Sequence, residues 1–400
     1  MTTKILSTGA GSPNSHPENQ DTHADTADAE SRASSLQLPR AILIAVFAAA
    51  IVTLILLAFS WPTVTSDPKD LPIAAVGDEQ QIDQITDNAP EGMLDVREVD
   101  SREEAVKLIE EREVYGAFIL GDEPEILTAK AASPAVAQQL SGIGDQMQHA
   151  IDAQAISGLQ KGNEKMAEEM QKALTAAASG QSPAQGNPAG QSGGPAASAM
   201  DVPQVEVTDV VPLSDDDPSG AGLAIAGLPL TIGGIVGGVL TSMAIRSRRM
   251  RGLATIVYGT VGGLALALIM QSWFGILQGS FGLNALAIGL AIAATAGLIN
   301  GFVSLIGPAG IAVGAVLTMF IGNPIASLNQ PKEFLAGSWG EIGQFFVPGA
   351  AGTLLRDLSY FPDAAVGLQW WVLVAWFSVG IALILVGHLI AHRKQHAATH

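Results

Sequence analysis

The chain of 400 residues is 48% hydrophobic and only 14% charged, whereas soluble globular proteins average about 25% charged residues. Its net charge of −18 is concentrated in residues 62–220, which carry 29 acidic and 9 basic side chains, a net of −20. No basic face is therefore available to bind a nucleic acid. Cysteine is absent, which excludes disulfides, thiolate nucleophiles and cysteine-bound metals.

The first 61 residues combine a polar tail with an apolar segment. Residues 1–39 are rich in Ser, Thr, Asp and His without an apolar period, which predicts a disordered tail. The uncharged run at 41–61 is long enough to cross a bilayer core of about 30 Å, so we predict a transmembrane helix over 40–61. A cleaved signal peptide is the alternative, but the long acidic leader and the missing small-x-small cleavage site disfavour it.

Residues 62–220 have the pattern of an α/β domain. Between its second and third predicted strands, Ser101 and Glu104 have capping-box spacing, and Ala105, Leu108 and Ile109 share one helical face. Short β-branched and apolar runs bounded by turn residues predict the strands. These runs lie at 71–77, 93–99, 114–121 and 125–130, with a strand-like alternation at 202–213.

The second half of this domain changes composition twice. Residues 134–177 are rich in Ala, Gln, Glu, Lys and Met, which predicts one or two long helices. Residues 178–200 consist mostly of Gly, Pro, Ser, Gln and Ala and predict a flexible linker.

From residue 221 onward, the chain has the composition of a membrane domain. Including the helix at 40–61, we predict six transmembrane helices, with a five-helix membrane domain at 221–391 and an outer re-entrant segment at 324–369. The five predicted spans of this domain are uncharged or nearly so: 221–245, 253–277, 282–303, 305–323 and 370–391.

Positive charge predicts the orientation of these helices. Arginines cluster after the second predicted span, and Arg393 and Lys394 follow the sixth. The positive-inside rule places both termini, including the tail at 392–400, in the cytoplasm and residues 62–220 outside. A multi-pass protein of the plasma membrane is expected. The clustered arginines are Arg246, Arg248, Arg249 and Arg251.

Polar groups inside the predicted spans are few. Apart from the arginine cluster, residues 221–323 contain no Asp, Glu, Lys, Arg or His, which disfavours proton- or ion-coupled transport. Gln271, Asn284 and Asn300 remain, and hydrogen bonding between helices is the favoured interpretation. His388 lies near the end of the last span. The sequence also lacks a Walker A loop.

Arrangements typical of catalysis or metal binding are missing too. No nucleophile has an adjacent base, and we expect neither enzymatic activity nor a catalytic, cofactor-binding or metal site. The acidic triplet at 215–217 could hold a divalent cation, but a solvated turn is the favoured interpretation.

Glycines recur four residues apart in the predicted spans, a spacing that lets helix backbones approach closely. Packing within one bundle is the favoured interpretation, and a homodimer seam is the alternative. Pro229 and Pro308 would kink their helices. The pairs are Gly233/Gly237, Gly234/Gly238, Gly259/Gly263, Gly297/Gly301 and Gly310/Gly314.

Residues 333–361 are too charged to span a membrane. Four charged side chains, several aromatics and a central Pro348-Gly349 predict two short helices that dip into the outer interface. A surface hairpin without a role in transport is the alternative.

This layout resembles the type-2 ABC exporter permeases, and within them the YhgE/phage-infection-protein group of Gram-positive bacteria. The resemblance covers residues 41–391. It rests on an outer-boundary motif followed by "LP" and paired glycines, on "GNP" closing the fifth span, and on "FFVPGAAGTLLRDLSYF". The matching candidate positions are Asp209, Pro212, Asp217, Pro218, Gly220, Pro229, Asn323, Pro324, Pro348, Gly349 and Arg356.

The resemblance implies an exporter permease that moves an envelope component or amphipathic molecule with a separate ATPase. The bilayer, an ATP-binding subunit and a second copy of the chain are the implied partners. Such permeases contact their ATPase through a cytoplasmic helix between the second and third spans, and here that loop is only "RSRRMRG". The alternative is therefore a non-transporting envelope scaffold or a phage-receptor-like protein. If an ATPase docks, the four clustered arginines are the candidate contact.

Overall fold

The computed structural model describes residues 43–178, apart from 44, 48 and 63, and residues 202–397. The predicted tail at 1–39 and nearly all of the predicted linker at 178–200 lie outside the described residues. From Phe59 onward, the described residues belong to one compact unit.

A five-stranded sheet forms the centre of the α/β domain at 62–220, which we call the outer domain after its predicted location, and all five predicted strands are confirmed. Its order is β2-β1-β3-β4-β5. Strand β1 is parallel to both of its neighbours, β3 and β4 are antiparallel, and β5 is parallel to β4. The strands are β1 (Leu71–Val76), β2 (Leu94–Glu98), β3 (Gly116–Ile119), β4 (Glu125–Thr128) and β5 (Glu206–Asp209).

Helices flank this sheet. Helix α3 (Arg102–Glu110) begins as predicted, because the Ser101 hydroxyl accepts the Glu104 amide at 3.2 Å. The Glu104 carboxylate accepts the amide of Asp100, one residue earlier than in a capping box. Helix α2 (Glu79–Asn88) was not predicted. Its sequence consists mostly of glutamine and acidic residues, and its two isoleucines are too few to show an apolar period.

Residues 134–177 form one helix, α4 (Pro134–Ala178), rather than two. Its first turns pack on the sheet through Val136 and Leu140, which are fully buried. Its second half is exposed, including Met166 and Met170.

Five helices of the described chain are long and apolar enough to cross a membrane, which indicates a membrane-embedded protein. Helix α6 continues into a π-helical turn at Leu268–Trp273. The five are α1 (Ala45–Pro62), α5 (Ala221–Ala244), α6 (Arg248–Ala267), α7 (Phe281–Ile306) and α11 (Gly367–Ala397).

The predicted count of six spans is not confirmed, because the segment at 305–323 is broken. Helix α7 runs on to Ile306, and Gly307 then adopts φ +72°, which favours glycine. Pro308 follows and has no amide proton to continue the helix. What remains is α8 (Ala309–Ala315) and a π-helical turn at Val316–Gly322. These 14 residues fall short of the roughly 20 that a spanning helix needs.

The outer segment at 324–369 contains a 3-10 turn at Lys332–Phe334 and two short α-helices, α9 (Trp339–Gly343) and α10 (Val347–Tyr360). Beyond the two predicted helices, the segment also contributes side chains to the core of the outer domain. Phe334 packs on the sheet face that carries Leu71 and Ile73, and Phe361 packs on the opposite face. Helix α10 itself packs against α5, α7 and α11.

Candidate functional site

A cleft of about 530 Å³ lies between the outer domain, the segment at 324–369 and the first turn of α11. Its lining is more polar than that of two other large cavities, one between α6 and α7 and one between α2 and α4. Four basic and five acidic side chains line it, together with apolar groups such as Phe345 and Leu368. A volume of this size is typical of sites for small ligands.

An ion pair between Arg112 and Asp357 joins the two halves of the cleft. Their side chains are only 16% and 4% exposed. The guanidinium of Arg112 also lies 5.7 Å from the centre of the Phe361 ring, within range of a cation–π contact. Burial raises the pKa of Asp357, and the positive charge of Arg112 opposes that shift. The pair links the turn after α3 to α10, although the two residues are 245 positions apart in the sequence.

Arg356, a candidate position in the sequence, lines the same cleft. Its Nη2 donates to the carbonyl of Leu328 at 2.9 Å, and it forms no ion pair with a carboxylate among the described residues. Burial, together with the charge of Arg112, lowers the pKa of Arg356 to about 10. The side chain therefore remains a cation at neutral pH.

A second polar contact lies beside these arginines. The Tyr115 hydroxyl donates to the Glu333 carboxylate at 2.9 Å. Burial, then the negative charge of Glu333, raises the pKa of Tyr115, so the phenol stays protonated and serves as a donor.

Two further groups in the cleft were not singled out from the sequence. The Ser327 hydroxyl and the Oε1 atom of Gln369 are buried without a hydrogen-bond partner among the described residues. Ser327 also has φ +54°, which is uncommon for a residue other than glycine. No sequence signal marks either residue, because an ordinary Ser-Leu-Asn or Leu-Gln-Trp run carries no motif.

The predicted boundary residues lie at the junction of β5 with α5. The Asp217 carboxylate accepts the amides of Gly222 and Leu223 at 2.9 and 3.3 Å. Asp217 is only 8% exposed, so the expectation of a solvated turn is wrong for this member of the triplet. Its charge stabilises the start of the helix, where amide protons lack partners. Gly220 precedes the helix at φ +67°.

The neighbouring candidates have local roles. Asp209 ends β5 and pairs with Lys130 at 3.5 Å, whereas Pro212 and Pro218 are exposed. Pro229 lies inside α5. The turn after the second π-helical turn contains Asn323 and Pro324.

Pro348 and Gly349 begin α10 and are both buried. A Cβ atom on Gly349 would collide with the backbone of Gly343, so this glycine allows α9 and α10 to meet. Among the predicted candidate positions, Arg356 lines the cleft and the others do not.

The arginine cluster divides into two kinds of residue. Only three residues separate α5 from α6. The Arg251 Nε donates to the carbonyl of Ile245 at 2.6 Å and so caps the end of α5. The Nε of Arg248 is buried without a partner among the described residues, whereas Arg246 and Arg249 are exposed.

The small and amide residues of the bundle serve packing, as predicted. Asn300 donates to the hydroxyls of Thr241 and Thr255 at 2.8 and 3.0 Å, which links α7 to α5 and α6. Asn284 donates to Gln271 at 3.0 Å. Of the paired glycines, all but Gly233 have a neighbour from the same chain within 4 Å of the position where a Cβ would lie.

No family model matches this chain, and searches of curated proteins and of solved structures return no significant match. Among the described residues, no three His, Asp or Glu side chains come together as a metal site would require.

Proposed function

We propose that this protein is a permease-like subunit of a type-2 ABC exporter, which moves an envelope component or amphipathic molecule with a separate ATPase. In this proposal it is a multi-pass protein of the plasma membrane. Both termini are cytoplasmic, the α/β domain lies outside, and α8 with its π-helical turn counts as a sixth, shortened membrane helix.

The position of α10 carries the proposal. This helix is too short to span a bilayer, yet it packs on three membrane helices and is joined to the outer domain by the Arg112–Asp357 pair and by Phe361. A movement of α5, α7 or α11 would therefore be transmitted to the cleft. A permease needs such a mechanical connection between its membrane helices and its outer binding surface.

The orientation can be tested first. Single cysteines at Ser157 and Asn329, which are exposed in the outer domain and outer segment, should react with an impermeant maleimide in intact cells. A cysteine at Ser247 should react only after the cells are opened. Labelling of position 247 in intact cells would contradict the proposed topology.

The ATPase contact can be tested on the two exposed arginines. Changing Arg246 and Arg249 together to Lys keeps the positive charge but removes the planar, bidentate guanidinium contacts with carboxylates. We expect the tagged wild-type chain to co-purify with an ATP-binding subunit and the double variant to lose it. Arg393→Lys is the matched control, because it makes the same change at the end of α11.

A specific observation favours the second candidate, a non-transporting envelope scaffold. The three-residue connection between α5 and α6 leaves no room for a helix that could contact an ATPase. If the wild-type chain co-purifies with no ATP-binding subunit but with outer envelope proteins, the scaffold function is correct and the exporter proposal is wrong.

A further inference from the structure

The cleft contains a cation that the protein leaves largely unsatisfied. A guanidinium has five N–H donors, and the structure gives Arg356 a single protein acceptor, the carbonyl of Leu328. The carboxylate next to it in sequence, Asp357, is bound to Arg112 instead. Carboxylates such as Glu333 and Glu341 line the same cleft, but none of them is hydrogen-bonded to Arg356. Because a buried cation whose N–H groups lack acceptors is costly, an anion from outside the chain that bonds to them would stabilise this arrangement.

The backbone next to that carbonyl is strained. Ser327, which directly precedes Leu328, has φ +54°, and its hydroxyl has no partner among the described residues. A non-glycine residue in this conformation is retained only when its surroundings demand it, and such residues cluster at ligand sites. Glycine would adopt this backbone conformation without strain, so the presence of serine indicates a role for its hydroxyl.

The surroundings favour an anion that carries an apolar portion. Gln369, at the start of the membrane helix α11, adds an unpartnered carbonyl oxygen, an acceptor that suits a hydroxyl of the ligand rather than the anion itself. Phe345 and Leu368 add apolar surface to the same lining and are 55% and 49% exposed. The cleft thus joins oxyanion-binding groups with an apolar wall at the edge of the membrane helices.

We propose that the cleft binds the phosphate of an amphiphile, with Arg356 and the Ser327 hydroxyl donating to the phosphate oxygens while Phe345 and Leu368 contact the apolar portion. This site does not depend on transport or on an ATPase. Free phosphate has the same recognition chemistry, and the two sources are separated by experiment.

Binding can be measured by calorimetry on the full chain purified in an uncharged detergent. The probes are dihexanoyl phosphatidylglycerol, inorganic phosphate and the uncharged dihexanoylglycerol. We expect the phospholipid to bind and dihexanoylglycerol not to bind. Inorganic phosphate that binds as tightly as the lipid would assign the site to the free anion.

Two variants test the assignment of residues. Arg356→Gln should weaken binding by about tenfold or more, because it removes charge-assisted hydrogen bonds. Ser327→Gly should weaken it by about fivefold, because it removes one hydroxyl. Since glycine accepts φ +54°, this second variant should fold at least as well as the wild type. It therefore keeps the test valid if Arg356→Gln fails to fold.

Arg102→Gln is the matched control, because it removes a guanidinium that pairs with Glu125 outside the cleft. It should leave binding unchanged. The proposal is overturned if neither phosphate-bearing probe binds, or if folded Ser327→Gly binds the phospholipid as tightly as the wild type.

Discussion

The outer domain and the helix bundle differ in the share of large and small side chains at their centres. On the two faces of the sheet, the fully buried residues include large ones, such as Leu71, Ile73, Phe118 and Phe361, each at most 1% exposed, together with several alanines on the face that carries Phe361. At the centre of the bundle, the buried positions of α7 are mostly Ala, Gly, Thr and Asn. Many large residues of the bundle are exposed on its surface, and Trp371 is 73% exposed.

The difference follows from the solvent. In water, burial of apolar area drives folding, so the largest apolar groups go inside. In a bilayer, lipid tails are as apolar as leucine, and helices associate through close packing of small residues and through hydrogen bonds. Hydropathy therefore does not reveal which helix is central. Helices α7 and α11 have mean hydropathies of 2.0 and 2.3 over an apolar stretch of 18 residues. Within that stretch, 78% of the residues are buried in α7 but only 22% in α11.

The comparison predicts its largest effect at Phe361. Phe361→Ala should lower the free energy of unfolding by about 4 kcal/mol, because it leaves a cavity in the core of the outer domain. Trp371→Ala removes a larger side chain from the exposed surface of α11 and should cost far less. Thermal unfolding of both variants in the same detergent checks this, and equal losses would refute the contrast.

An added side chain should have the next largest effect, in the bundle. A Cβ on Gly289 would lie 2.7 Å from the carbonyl oxygen of Gly259, so Gly289→Leu forces two helix backbones apart. We expect a loss of about 3 kcal/mol or a failure to assemble. Gly282→Leu, on the same helix in open space, is the control. Normal size-exclusion profiles and melting temperatures for both variants would contradict this account.

The amide contacts of the bundle should contribute less. A double-mutant cycle on Asn300→Leu and Thr241→Val measures the hydrogen bond between these side chains. We expect a coupling energy of about 1 kcal/mol, typical of hydrogen bonds between membrane helices. Strict additivity of the two changes would show that the contact contributes nothing.

The smallest effect concerns charge in the outer domain. Arg102 donates to Glu125 at 2.6 and 2.9 Å, and this hydrogen bonding lowers the pKa of Glu125. A lowered pKa means that the ion pair stabilises the fold above the ordinary pKa of glutamate. The gain is lost as the pH falls through the lowered value.

Glu125→Gln should therefore cost about 0.5 kcal/mol at pH 7, a small value because Arg102 is partly exposed. The difference from the wild type should vanish in acid below the lowered pKa. Melting curves of both proteins over this pH range test the sign, and a difference that persists in acid would contradict it.

Local patterns were enough to predict the strands, α3 and its cap, and most of the membrane helices, because each depends on residues only a few positions apart. They were also enough to place Arg356 on a short outer helix. The break at Gly307-Pro308 was missed, since hydropathy averages over it. Helix α2 was missed because it carries too few apolar residues to show a period.

The cleft was decided only by the tertiary structure. Arg112 and Asp357 are 245 residues apart, and neither belongs to a motif that names the other. Ser327 and Gln369 are candidate ligand contacts only because their polar atoms are buried without partners. That burial depends on the packing of the segment at 324–369, which inserts Phe334 and Phe361 into the two faces of the sheet. Composition determined that this chain enters a membrane. The pairing of distant charges and the strained backbone at Ser327 arise only when the outer segment packs against the sheet, because no local pattern encodes a contact between remote residues.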